Sequence, residues 1–158
     1  DKWHVSGTYS NARNWGSHSY NATTKGAQEA RDSVGVALRA YWMPDETGTK
    51  VPEISFGYDT KSYGGVAVAG NTTEADSYMI GFTWKDIFLG DDRIGLAFGQ
   101  PQKLSGDVVD PFLYEIYYDY KVNDSITVTP AFFGGNSNDG NDGDVDMTGV
   151  VVNTTFKF

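Results

Sequence analysis

The chain closes on Asn153-Thr154-Thr155-Phe156-Lys157-Phe158, a polar and aromatic alternation that runs to the last residue. A period of two sends successive side chains to opposite faces of a strand, so such a segment has one apolar and one polar surface. Seven earlier segments have the same pattern. A strand that stops on an aromatic ring suits the rim of a transmembrane barrel, where aromatic residues gather at the interface, better than the edge of a soluble sandwich. The fold class expected is all-β: an antiparallel transmembrane β-barrel of the outer-membrane type, with about eight strands in this chain.

The segments follow from the alternation alone. Lys2 to Ser10 sets Trp3, Val5, Gly7 and Tyr9 against His4, Ser6, Thr8 and Ser10. Ser33 to Met43 sets Val34, Val36, Leu38, Ala40 and Trp42 against Gly35, Ala37, Arg39 and Tyr41. Glu53 to Thr60, Ser77 to Lys85, Arg93 to Gly99, Phe112 to Val122, Ser125 to Phe133 and Thr148 to Phe158 continue the series. Each is close to the roughly nine to eleven residues that cross a bilayer at a tilt. Pro130 lies inside one of them and lacks a ladder donor, which predicts a bulge or an opened pair.

Composition narrows the alternatives. A mean hydropathy of −0.42 and the lack of a run of about 18 to 20 apolar residues exclude helical spans, whereas a barrel stays polar because only alternate residues meet lipid. Tyr (10) and Phe (9) are abundant enough to supply belts, and there is no cysteine to form a disulfide. The net charge of −9 argues against a nucleic-acid partner, because the 12 Lys and Arg are scattered. Asp1 follows neither an initiator Met nor a signal peptide, so the chain is expected to be processed or truncated.

The connections predict an orientation. Gln100 to Pro111, Gly134 to Met147, Lys61 to Asp76 and Asn11 to Asp32 read as long links, against Asn123-Asp124 as a tight turn and Asp86 to Asp92 as a short link. Pro44 to Pro52 is intermediate. Short periplasmic turns alternating with long external loops fit a barrel. With Phe158 taken as periplasmic, parity assigns Trp3, Trp42, Trp84, Tyr120, Phe156 and Phe158 to the inner rim. Tyr9, Tyr58, Tyr78, Phe98, Tyr114 and Phe132 fall at the outer rim, giving an aromatic girdle at each interface.

The opposite face carries Arg39, Glu53, Asp59, Lys85, Arg93, Glu115, Asp119, Lys121 and Lys157, interleaved with small residues at Gly35, Ala37, Gly57, Gly81, Gly95 and Ala97. Ionisable groups facing inward must be hydrated or paired, and small neighbours favour a wide, wetted lumen; these nine are the expected pore-lining residues. Catalysis has no support in the sequence. His4 and His18 have no clustered carboxylate or cysteine at ligand spacing, so no catalytic residue, metal or cofactor is expected. Asp139-Gly140-Asn141-Asp142-Gly143-Asp144-Val145-Asp146 looks like one turn of a calcium-binding Gly-Asp repeat, but such repeats act in stacks. The Gly-rich stretch Tyr63 to Gly70 lacks the Lys and the helix of a phosphate cradle.

The run Ile80-Gly81-Phe82-Thr83-Trp84-Lys85-Asp86-Ile87-Phe88, with Asp92 to Pro101, resembles paired strands of cyanobacterial outer-membrane porins of the carbohydrate-selective type. Leu113 to Ala131 and Thr154 to Phe158 resemble the C-terminus of the same family. The resemblance implies a passive channel in the outer membrane and a homotrimer surrounded by outer-membrane lipid. It also implies an N-terminal S-layer-homology domain that contacts peptidoglycan and is missing from residues 1–158. On that reading the chain is a single partial-barrel domain, the C-terminal half of about sixteen strands. A complete eight-stranded barrel, a structural protein tying the outer membrane to the wall, and a soluble secreted β-domain binding calcium or glycan remain the alternatives.

Overall fold

Alternation over eight segments becomes eight strands in a single antiparallel sheet. The computed structural model describes residues 2–15, 31–64, 73–138 and 144–158; His18, most of the Gly-rich stretch and residues 139–143 of the Gly-Asp loop lie outside them. The strands are β1 (Lys2–Trp15), β2 (Arg31–Met43), β3 (Glu53–Tyr63), β4 (Glu74–Lys85), β5 (Arg93–Leu104), β6 (Phe112–Asn123), β7 (Ile126–Asn138) and β8 (Asp144–Phe156). Each pairs only with its neighbours in sequence, so the spatial order is β1 to β8 without a crossover. Val150–Phe156 pair with β7 and make no ladder to Trp3–Tyr9. The sheet is therefore open, and β1 and β8 each have an unpaired edge among the described residues.

The strand ends differ from expectation in a systematic way. At the end bearing Trp3, Trp42 and Trp84, the structure agrees with the alternation to within two residues. At the other end the strands run further: β1 to Trp15, β3 to Tyr63, β5 to Leu104 and β7 to Asn138, with β4 starting at Glu74 and β8 at Asp144. Ladder hydrogen bonds belong to the backbone, so pairing continues where polar residues no longer alternate with apolar ones. Two links expected to be long shrink accordingly, to residues 105–111 and 139–143, so the alternation of loop lengths is weaker than the sequence suggested. The tight turn shifts by one residue to Asp124-Ser125. Neither Asn123 nor Asp124 takes a positive φ; instead the Asn123 side chain accepts the Ser125 N–H at 2.9 Å.

Both interior prolines mark faults in the ladders. At Pro130 the β6–β7 register carries through unchanged from Tyr117–Ala131 to Tyr120–Val128, with the two intervening pairs open. The Thr129 hydroxyl bridges the opening by donating to Asp119 at 2.6 Å. At Pro101 an extra residue sits in β5, between the Tyr78–Gln100 and Asp76–Lys103 pairs.

Among the described residues no second layer covers the sheet. The buried hydrophobic residues among those described are only Ala75, Leu104 and Ala131. The glycines of the charged face, Gly35, Gly57, Gly81 and Gly95, are seats for neighbouring side chains rather than bare wall. The Tyr117 ring lies on Gly95, so a Cβ there would come within 2.0 Å of it. The Arg39 side chain crosses Gly57, and Ser55 covers Gly81. Gly95→Val should therefore displace the Tyr117 ring and cost about 1–3 kcal/mol, as overpacking does. Unfolding in detergent checks this, and Tyr117→Ala in the same chain should recover part of the loss.

Candidate functional site

Cross-strand register decides which side chains share a face. The row Ser6, Arg39, Gly57, Met79, Gly99, Leu113 fixes one face, and strand periodicity places Glu53, Asp59, Lys85, Arg93, Glu115, Asp119 and Lys121 on that same side. Lys157 lies just past β8, yet it lines one cavity with Lys85, Arg93, Asp119 and Lys121. The sheet is concave on this side. Residues from β2 to β8, including Arg39, Asp59, Met79, Glu115 and Met147, line a cavity of about 540 Å³, and a flat sheet encloses no volume.

Most charges on the concave face are engaged. Arg39 Nη2 donates to both carboxylate oxygens of Asp59 at 2.9 and 2.8 Å, and Nη1 donates to the carbonyls of Leu38 and Tyr58. Glu53 accepts from Lys85 Nζ on one oxygen and from the Tyr41 hydroxyl on the other, both at 2.5 Å. Lys121 pairs with Asp91 at 2.8 Å and with Asp124 at 3.4 Å. With about half of the Arg39 and Asp59 side chains exposed, this pair adds little to stability; it fixes where charge sits on a wet surface.

The convex face holds the aromatic residues expected at the rims, all but Phe158 within strands. Large apolar side chains stand open here, among them Trp3, Val5, Leu38, Phe56, Ile116 and Phe132, with Val150 73% and Val152 63% exposed. Trp3 and Trp42 rings lie 6.2 Å apart, as do Phe82 and Trp84, and Tyr114 and Phe132 lie 6.1 Å apart. Trp84 donates its indole N–H to the Lys50 carbonyl at 3.0 Å.

Register also shows that the two rows of aromatic residues expected at the rims run parallel across the sheet. On the outer rim Tyr9 stands on a row running through Val36, Thr60 and Asp76. Tyr58 lies two residues towards the inner rim from that row and level with Tyr78. Phe98 is two further from the Tyr78–Gln100 pair and level with Tyr114, and Phe132 is two further again from the Tyr114–Gly134 pair. On the inner rim Trp3 is level with Trp42, whose row reaches Phe82. Trp84 lies two beyond Phe82, Tyr120 two beyond the Ile94–Tyr118 row, and Phe156 two beyond the Val128–Thr154 pair. Both belts slip the same way by nearly one residue per strand. With about 3.3 Å per residue and 4.8 Å between strands, a belt lying flat corresponds to strands tilted by about 30–35°, near the tilt of barrel strands.

One polar centre went unnoticed in the sequence. Asp92, 1% exposed, ends the 86–92 turn and accepts the N–H groups of Ile87, Phe88 and Leu89 at 2.8, 3.0 and 3.1 Å. The Tyr118 hydroxyl adds a fourth bond at 3.0 Å. Burial pushes the Asp92 carboxyl pKa up, but these donors outweigh it and hold the net value below the ordinary range. Asp86 is lowered by its hydrogen bond with the Thr47 side chain and by the Asp91 N–H. Asp86 and Asp91 take positive φ, at 57° and 69°, which Asp tolerates better than most residues. The paired aspartates flanking a short link were the available signal.

Among the described residues no group of three or more His, Cys, Asp or Glu side chains is placed to hold a metal ion. Comparison of the chain with protein-family models, curated proteins and solved structures finds no match. The resemblance carried by Ile80 to Phe88, Asp92 to Pro101, Leu113 to Ala131 and Thr154 to Phe158 thus rests on those residues alone.

Proposed function

We propose that this chain forms part of the wall of an outer-membrane porin, through which small hydrophilic solutes or ions diffuse passively. In this reading the convex face meets lipid and the concave face lines water, with no catalytic residue or cofactor. The observation that carries it is the convex face itself: an apolar surface that no other described residue covers, bounded by two parallel rows of aromatic residues. Soluble proteins rarely leave such a surface open, while a bilayer covers it and draws Trp and Tyr to both interfaces. The unpaired edges of β1 and β8 would meet further strands, because an open edge cannot face hydrocarbon. A porin of the resembling family supplies them from the rest of a barrel of about sixteen strands, in a homotrimer.

Conductance of the full-length protein in a planar bilayer tests the proposal. Stepwise, ohmic channels are expected; folded and inserted protein without channels would favour a structural envelope role instead. The parallel belts add a second expectation. Trp3, Trp42 and Trp84 should lie at one depth by brominated-lipid quenching of single-tryptophan variants, although Trp84 is offset by two residues in register. A depth difference of about 6 Å, the length of two strand residues, would mean that the strands stand upright.

A further inference from the structure

A cavity of about 340 Å³ opens on the concave face at the end bearing the 86–92 turn. It could hold about ten waters at roughly 30 Å³ each, which leaves room for a small hydrated solute. Its lining includes Lys85, Arg93, Lys121 and Lys157 together with Asp86, Asp91, Asp92 and Asp119, so a count of charges gives balance. The hydrogen bonds do not.

Each carboxylate already has a donor. Asp92 holds three backbone N–H groups and the Tyr118 hydroxyl. Asp86 accepts the Asp91 N–H, Asp91 holds Lys121, and Asp119 accepts from Thr129. Lys85 is bound to Glu53. Arg93 stands directly across the ladder from Lys85 on one side and from Asp119 on the other, yet it makes no ion pair or hydrogen bond among the described residues, and neither does the side chain of Lys157. Two cations opposite one another on a sheet repel; Lys85 is bound directly to Glu53, whose charge also reaches Arg93 but without a hydrogen bond or ion pair among the described residues. The arrangement leaves a guanidinium fork and an ammonium group facing one wetted space, both without a hydrogen-bond acceptor among the described residues.

We propose that Arg93 and Lys157 form a binding station for a small oxyanion at this end of the concave face. The guanidinium suits two oxygens of one anion, and the lysine supplies a second charge from the chain end. The proposal rests on the channel reading and gives it a preferred class of solute. Arg39 contributes nothing comparable, since Asp59 and two carbonyls occupy its donors.

The test uses full-length protein in a planar bilayer under chloride, with inorganic phosphate as the probe. Phosphate should reduce the chloride current saturably. Arg93→Gln and Lys157→Gln should each raise the half-blocking concentration by about tenfold, the order of one lost charge-assisted hydrogen bond. Lys61→Gln, which removes a cation from the far end of the same face, should leave it within about twofold. Lys157→Gln keeps the backbone bond from Lys157 N–H to the Ser125 carbonyl, so it reads the site even if Arg93→Gln folds poorly. Channels that conduct but show no saturable block would overturn the station and leave the porin reading standing. Equal effects from Lys61→Gln would overturn its location, and absence of any channel would count against the porin reading.

Discussion

Arginine in place of Ile80 or Val152 is expected to cost insertion about 2–4 kcal/mol, the penalty for a cation on the lipid face near the midplane of a barrel. Both positions lie on the convex face between the two belts: Ile80 between Tyr78 and Trp84 on β4, and Val152 four residues from Phe156 on β8. The charge would have to enter hydrocarbon or drag water with it. Arg93→Gln on the concave face removes a side chain that has no ion pair among the described residues and should leave the folded yield in vesicles nearly unchanged. Folding into lipid vesicles, read as the fraction of heat-modifiable protein on a gel, compares the two classes. Equal losses would mean that the face assignment is wrong by one residue, since a one-residue slip exchanges the faces completely.

Asp92→Ala is expected to have the second large effect. It removes one carboxylate and orphans three backbone N–H groups and a tyrosine hydroxyl at once. Buried donors left without acceptors are expensive, so the 86–92 turn should loosen and the melting temperature fall by several degrees. Asp92→Asn keeps the shape and loses the charge, and its comparison with the unaltered protein should depend on pH. The folded Asp92 pKa is lowered, so its ionisation stabilises the fold at pH above the ordinary carboxylate value of about 4. That contribution disappears as pH falls through the lowered value. The gap between the two proteins should be full at neutral pH and close in acid; a gap that widens in acid would contradict the assignment.

The sequence made one end of the sheet far more legible than the other. Near Trp42, Trp84 and Tyr120 the apolar alternation stops where pairing stops, so the strand ends could be read directly. Beyond Tyr9, Phe98 and Phe132 the strands continue through residues such as Gln100, Lys103, Asn136 and Asp144, whose backbones pair while their side chains give no periodic signal. Which residues share the charged face followed from alternation. Which charges neutralise each other did not, because Arg39 meets Asp59, and Lys85 meets Glu53, only through a cross-strand register that no local pattern encodes. The same holds for Tyr117 over Gly95. The slip of the aromatic belts needs that register as well, so parity could assign residues to rims without revealing that the rims run parallel across the sheet.

Alternating exposure to lipid and water along one strand tests the central claim most directly. Residues 1–158 contain no cysteine, so once any thiol elsewhere in the full-length protein is replaced by serine, a single substitution introduces the only one. Cysteines placed one at a time from Ser77 to Trp84 in the membrane-embedded full-length protein should divide by parity. Positions 77, 79, 81 and 83 should react with a membrane-impermeant, water-soluble thiol reagent, while 78, 80, 82 and 84 should be protected and, carrying a fluorophore, be quenched by brominated lipid. Uniform reactivity along the strand, or quenching at the odd positions, would contradict a wall with lipid on its convex face and water on its concave one.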